Sequence, residues 1–201
     1  MIVDSEAAAH AGWTLADLAK ACLAGGARFI QLRAKDLSSG RLLDAASELV
    51  ALAHDADAIA IVNDRADIAR LSGADGIHVG QDDLPPAAAR PILGASAIIG
   101  RSTHTPSQLD AAAREPIDYI AIGPVFATTS KATGHDAVGL PMVRFASGFG
   151  RPVVAIGGIS LDTAASVIEA GAASVAVISD ILRTGDPERR VREYVARLDR
   201  I

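Results

Sequence analysis

From end to end the chain alternates between short, β-branched apolar runs and longer, Ala/Leu-rich amphipathic stretches, and this alternation limits its fold more than any other feature. The short runs are Met1–Val3, Phe29–Leu32, Ala58–Val62, Gly76–Val79, Ala97–Ile99, Tyr119–Ile122, Val153–Ile156 and Ser174–Ile178. They are apolar on both faces, as parallel strands covered by helices must be. The stretches between them predict helices over Leu15–Leu23, Gly40–His54, Arg65–Leu71, Leu84–Ile92, Pro106–Arg114, Leu140–Phe149, Leu161–Ala170 and Pro187–Leu198. Thr14, with Asp17 three residues on, reads as a capping box with an acid in its last slot. Ser160 and Asp186 read as N-caps, and Pro106 and Pro187 suit first helical turns. Glycine follows three helices, in Ala-Gly-Gly-Ala at 24–27, Ser-Gly-Ala-Asp at 72–75 and Ala-Gly-Ala-Ala at 170–173. There it can take the left-handed conformation that ends a helix cheaply.

Eight such units in 201 residues, with no linker or low-complexity tract between them, predict an α/β fold. The expected architecture is a (β/α)8 TIM barrel, one domain over 1–201. A doubly wound open sheet is the alternative, but its Gly-x-Gly-x-x-Gly turn is missing after the first strand. The first strand is short against the usual 5–6 or so residues. Either the barrel closes weakly there or the true start lies upstream.

Composition narrows the partners. Half of the residues are hydrophobic but only 3% are aromatic, so the core must be aliphatic. The net charge of −5 leaves no basic surplus for nucleic acid or an anionic membrane. No apolar run approaches the ~20 residues that span a bilayer, and Met1–His10 has no secretory pattern. Cys22 is the only cysteine, which excludes an internal disulfide and a cysteine-rich zinc site. A reducing, cytoplasmic setting is expected. Homo-oligomerisation is left open.

In a parallel barrel the C-terminal ends of the strands form the active face. Those ends carry Gln31, Arg33 and Lys35; Asn63 and Asp64; Gln81, Asp82 and Asp83; Arg101, Ser102 and His104; Thr128, Thr129, Ser130 and Lys131; Gly157 and Gly158; and Ser179. Taken singly these have plain readings: Asp64 or Asp82 as a helix cap, Arg33 or Lys35 as a solvated rim charge, Gly157-Gly158 as a tight turn. His78 reads as a hydrogen-bonded core residue and Cys22 as core packing. Together they suggest more. Arg33, Lys35, Lys131 and Arg101 suit a polyanion, yet Asp64 and Asp83 would repel one unless a hard cation lay between. Mg²⁺ is held by one or two carboxylates plus substrate phosphate oxygens. Such a set suits a departing pyrophosphate. The glycine turn after strand seven and Ser179 after strand eight suggest a separate monophosphate site.

Gln31-Leu32-Arg33-x-Lys35, Val62-Asn63-Asp64-Arg65, Gly76-Ile77-His78-Val79-Gly80-Gln81-x-Asp83, Ser102-Thr103-His104, Gly123-Pro124-Val125-Phe126, Thr128-x-Ser130-Lys131 and Ala155-Ile156-Gly157-Gly158-Ile159 together resemble the thiamine-phosphate synthase family. The resemblance implies a transferase that joins hydroxymethylpyrimidine diphosphate to thiazole phosphate and releases pyrophosphate. It implies that Gln31, Arg33, Lys35 and Asn63 hold the diphosphate substrate, that Asp64 and Asp83 bind Mg²⁺, and that Ser102 sits at the reacting centre. It places Lys131 on the pyrophosphate, beside Thr128 and Ser130, and the thiazole phosphate on backbone groups of Gly158, Ile178 and Ser179. Arg33, Ser102 and Lys131 become the catalytic candidates. The chain departs from the family pattern at Ala34, usually an acid, at Ser130, commonly threonine, and across 132–136. A thiazole tautomerase of the same superfamily would carry histidine where this chain has Pro124. A non-catalytic phosphate-binding barrel would not need the full set of cations and acids.

Overall fold

The computed structural model describes residues 1–128 and 136–199. Among them the chain runs β1 (Ile2–Asp4), α1 (Ser5–His10), α2 (Leu15–Ala24), β2 (Phe29–Arg33), α3 (Ser39–Asp55), β3 (Ile59–Asn63), α4 (Ala66–Ser72), β4 (Gly76–Val79), α5 (Pro86–Leu93) and β5 (Ile98–Thr103). It continues through α6 (Pro106–Ala112), β6 (Tyr119–Ile122), α7 (Gly139–Ser147), β7 (Val153–Ile156), α8 (Leu161–Glu169), β8 (Ser174–Ala176) and α9 (Pro187–Leu198). The strands pair in parallel, each with the next in sequence. The Ile2 N–H donates to the Val177 carbonyl at 3.1 Å, which brings the end of the sheet back to its beginning. The sheet is therefore a barrel and not the open doubly wound alternative.

The caps explain where the helices start. Thr14 Oγ1 accepts from the Asp17 N–H at 3.0 Å, and Ser160 and Thr163 form a reciprocal capping box. Asp186 accepts from the Arg189 N–H at 3.0 Å, with Pro187 in the first turn. Gly73 ends α4 at φ 74°, a conformation costly for any residue with a Cβ. The core between barrel and helices is aliphatic, built on Leu18, Ile30, Leu32, Ile77, Ile99, Leu109, Ile120 and Ile122. Cys22 is fully buried there, and burial pushes its thiol up to about 11, so it packs and does not react.

Two local differences from the sequence reading stand out. Helix α1 was not anticipated: Asp4 caps it by accepting from the Ala7 N–H at 2.9 Å. Strand β5 runs on to Thr103, through residues expected to lie in the loop after it. Neighbouring strands hold that polar end in register, with Ser102 opposite Ala121 and Thr103 opposite Ile122. Among the described residues no helix is long and apolar enough to cross a membrane.

Candidate active site

A cavity of about 440 Å³ runs along the barrel interior. At the C-terminal mouth its walls include Gln31, Arg33, Asn63, Ser102, Gly158 and Ser179. The strand pleat sets which side chains reach it, because residues two apart share a face. Gln31 and Arg33 therefore point the same way from β2.

Arg33 is nearly buried and its Nη1 donates to the Asp4 carboxylate, itself only 3% exposed. Register places Asp4 directly opposite Arg33. The Arg33 Nε is buried and has no hydrogen-bond partner among the described residues. Leaving a charged donor without a partner is expensive, and the guanidinium that carries it belongs to a residue that lines the cavity. Asp4 was missed by the sequence reading. Its signal was local: an acid followed by Ser-Glu-Ala-Ala-Ala, an N-cap pattern directly after a strand.

Lys35 reaches Asp64, Nζ to Oδ2 at 2.8 Å. Asp64 lies at φ 64°, in the left-handed region that aspartate tolerates better than most residues. Burial holds its carboxyl above the ordinary value, and hydrogen bonding and repulsion from the neighbouring Asp83 push the same way against the Lys35 contact. Asp83 Oδ2 accepts from the Gly80 N–H at 2.8 Å. The two acids sequence reasoning paired are thus brought together beside a cation. Neither Asp64 nor Asp82 serves as the helix cap each alone could have been: the N-cap positions of α4 and α5 are Arg65 and Pro85.

Arg101 does not join the mouth cations. It lies one residue from Ser102 and so on the opposite face of β5, where its Nη1 donates to the Gly80 carbonyl at 2.6 Å and its Nε lies 3.4 Å from Glu115. It braces the loop that carries Asp83.

Ser102 Oγ lies 2.8 Å from His78 Nε2, and His78 Nδ1 lies 2.9 Å from the Tyr119 hydroxyl. The His78 and Tyr119 rings stack with centroids 5.5 Å apart. Burial raises the Tyr119 phenol far above its ordinary value, so it stays protonated at any working pH. His78 is the buried, hydrogen-bonded residue the sequence suggested, and it also fixes Ser102. Gly100 makes room for this stack: a Cβ there would lie 2.0 Å from Tyr119 Cζ. Gly100→Ala should therefore cost about 1–3 kcal/mol of stability by overpacking. A urea midpoint equal to that of the parent protein would show that Tyr119 has space to move.

The second group lies across the mouth. Gly157 and Gly158 have φ of 96° and 63°, and a Cβ on Gly158 would lie 2.6 Å from the Ala127 carbonyl oxygen. The turn thus needs glycine for packing under residues 126–127 as well as for exposing its N–H groups. Ile178 and Ser179 line the same mouth, and Thr128, Gly158 and Ser179 also face an adjoining cavity with Ser160 and Arg183. Ser130 and Lys131 lie outside the described residues, as does 132–135 of the divergent segment.

The family model for thiamine monophosphate synthase matches residues 1–181. A thiamine-phosphate synthase from Anaeromyxobacter dehalogenans is 47% identical over 171 residues, covering 85% of this chain and 77% of that protein. One from Roseiflexus castenholzii is 42% identical over 193 residues, covering 96% and 84%. Among solved structures, a thiamine phosphate pyrophosphorylase from Pyrococcus furiosus superposes with a TM-score of 0.86 at 31% identity, covering 92% of this chain and 89% of that one.

Proposed function

The chain belongs to the thiamine monophosphate synthase family and carries that family's transferase activity, and we propose how the residues at its mouth divide the reaction between them. In that reaction the carbon–oxygen bond of hydroxymethylpyrimidine diphosphate breaks, pyrophosphate leaves, and the thiazole nitrogen forms a bond to the same carbon. The observation that carries this assignment is the convergence of Arg33, the Lys35–Asp64–Asp83 group and the His78–Ser102 pair on one rim.

Gln31 and Asn63, on the cavity wall, orient the pyrimidine, while Arg33 and Lys35 take diphosphate oxygens. Arg33 lines the cavity, and Asp4 fixes its guanidinium. Lys131, together with Thr128 and Ser130, is assigned to the same pyrophosphate. Donors already in place as charge builds on the leaving group are worth more than donors that must reorganise. Ser102, held by His78, sits at the reacting centre. Backbone groups of Gly158, Ile178 and Ser179 hold the thiazole phosphate.

Asp64 and Asp83 fit a hard divalent cation. Their mutual repulsion in a half-buried site is unfavourable until a positive charge is shared between them, and Lys35 offsets only part of it. A pair of carboxylates suffices for Mg²⁺ because phosphate oxygens and water complete its shell. When bound there it would neutralise charge on the leaving pyrophosphate.

Incubating the purified protein with both substrates and Mg²⁺ should give thiamine phosphate and pyrophosphate in equal amounts. Pyrophosphate release without thiamine phosphate, or no turnover of either substrate, would overturn the assignment.

The raised Asp64 carboxyl also sets a pH dependence. Well below 3.8 the group is protonated in both states and costs nothing. As pH rises past that value the unfolded chain ionises first, so the metal-free protein loses stability until the folded carboxyl ionises too. Asp64→Asn should remove that loss. A wild-type urea midpoint that climbs relative to the variant between pH 4 and pH 7 would contradict the assigned direction.

A further inference from the structure

Asp180 directly follows Ser179, and the family match stops one residue later, at 181. Yet this aspartate is the hub of a buried polar cluster that extends into α9. One oxygen, Oδ2, accepts from Arg190 Nε at 3.0 Å, Arg190 Nη2 at 2.8 Å and the Tyr194 hydroxyl at 2.6 Å. The same oxygen accepts from the Leu161 N–H at 3.3 Å, at the first residue of α8. Arg190 Nη1 reaches Glu193 at 3.1 Å, and the Tyr194 hydroxyl lies 3.5 Å from the Ile159 carbonyl. The Asp180 and Arg190 side chains are 8% and 9% exposed.

Three pieces of chain meet at that carboxylate: the turn carrying Ile178 and Ser179, the turn running from Gly158 into α8, and helix α9. The first two are the turns assigned to the thiazole phosphate. An aspartate adjoining Ser179 would by itself repel a phosphate. Arg190 cancels its charge from behind, and Arg183, its Nε 3.6 Å from Asp180 Oδ1, lies on the solvent side and lines the cavity shared with Gly158 and Ser179. Buried ion pairs of this kind add little net stability but hold their geometry closely.

We propose that Asp180, Arg190 and Tyr194 are positioning residues that clamp the two phosphate-binding turns at a fixed spacing and remove the negative charge beside them. This rests on the assignment of the thiazole phosphate to those turns. Tyr194→Phe deletes one bond to Asp180 and keeps the ring; Arg190→Lys keeps the charge and loses the two-pronged contact. The readout is the ratio of kcat/KM for thiazole phosphate to kcat/KM for the same thiazole alcohol without its phosphate. Both variants should lower that ratio about tenfold, short of the roughly 100-fold that a 1 Å misplacement can cause. The KM for the pyrimidine diphosphate should stay within about twofold, which also reports that the barrel is folded. A loss spread equally over both thiazoles, or an unchanged ratio, would overturn the clamp. If the parent protein itself does not prefer the phosphorylated thiazole, the assignment of the phosphate site falls, and the clamp with it.

Discussion

Arg33→Ala lowers turnover by about 10²–10³-fold, the cost of removing one strong donor to charge that builds in a transition state. Two effects separate in this variant. The first is the proposed catalytic one: the guanidinium at the cavity wall, assigned to the diphosphate oxygens, is gone. The second is structural: Asp4, 3% exposed, loses the cation that compensates it. Asp4→Asn with Arg33 retained breaks the same ion pair without removing the guanidinium, and it keeps an acceptor for the Ala7 N–H that starts α1. That variant should lose less than about tenfold in turnover while Arg33→Ala loses the full amount. Lys131→Ala should fall in the same 10²–10³ range. Near-parent turnover in both Arg33→Ala and Lys131→Ala would remove the cations from the chemistry. Steady-state rates at saturating substrates, with circular dichroism to verify folding, decide the matter.

The second large effect belongs to the acids. Asp83→Asn keeps an oxygen that can accept from the Gly80 N–H, so the loop should hold its shape. It removes one of the two charges proposed to hold Mg²⁺ near the leaving group. The loss of Lewis-acid help is worth several kcal/mol, or at least about 10²-fold in rate. Because the defect is in metal affinity, raising Mg²⁺ should recover part of it. Asp64→Asn should behave in the same way and should also reduce the 2.8 Å Lys35 contact from an ion pair to a hydrogen bond. An Asp83→Asn enzyme with the parent's rate and the parent's Mg²⁺ requirement would show that the carboxylate binds no metal.

The barrel was legible because alternation, caps and glycine stops all state the same thing locally: Thr14, Ser160 and Asp186 cap the helices they were expected to cap. The rim followed, since strand order fixes which residues end up side by side. What escaped was set by three-dimensional partners. Asp4 has a functional meaning only through Arg33, 29 positions away and opposite it in the sheet. Arg101 looked like a rim cation until the pleat put it on the face away from Ser102. Tyr119 read as plain strand, and only the space left by Gly100 shows that it supports His78. Asp180 gave no signal, because its partners Arg190 and Tyr194 lie 10 and 14 residues on, in α9, and meet it only in the fold.

The central claim is that a metal and fixed cations at a single opening draw pyrophosphate away from carbon. Its most direct test is the initial rate of thiamine phosphate formation by metal-stripped protein, before and after Mg²⁺ is restored. The account predicts a rate near zero in excess chelator and full recovery with Mg²⁺. Undiminished synthesis in the presence of chelator would contradict it.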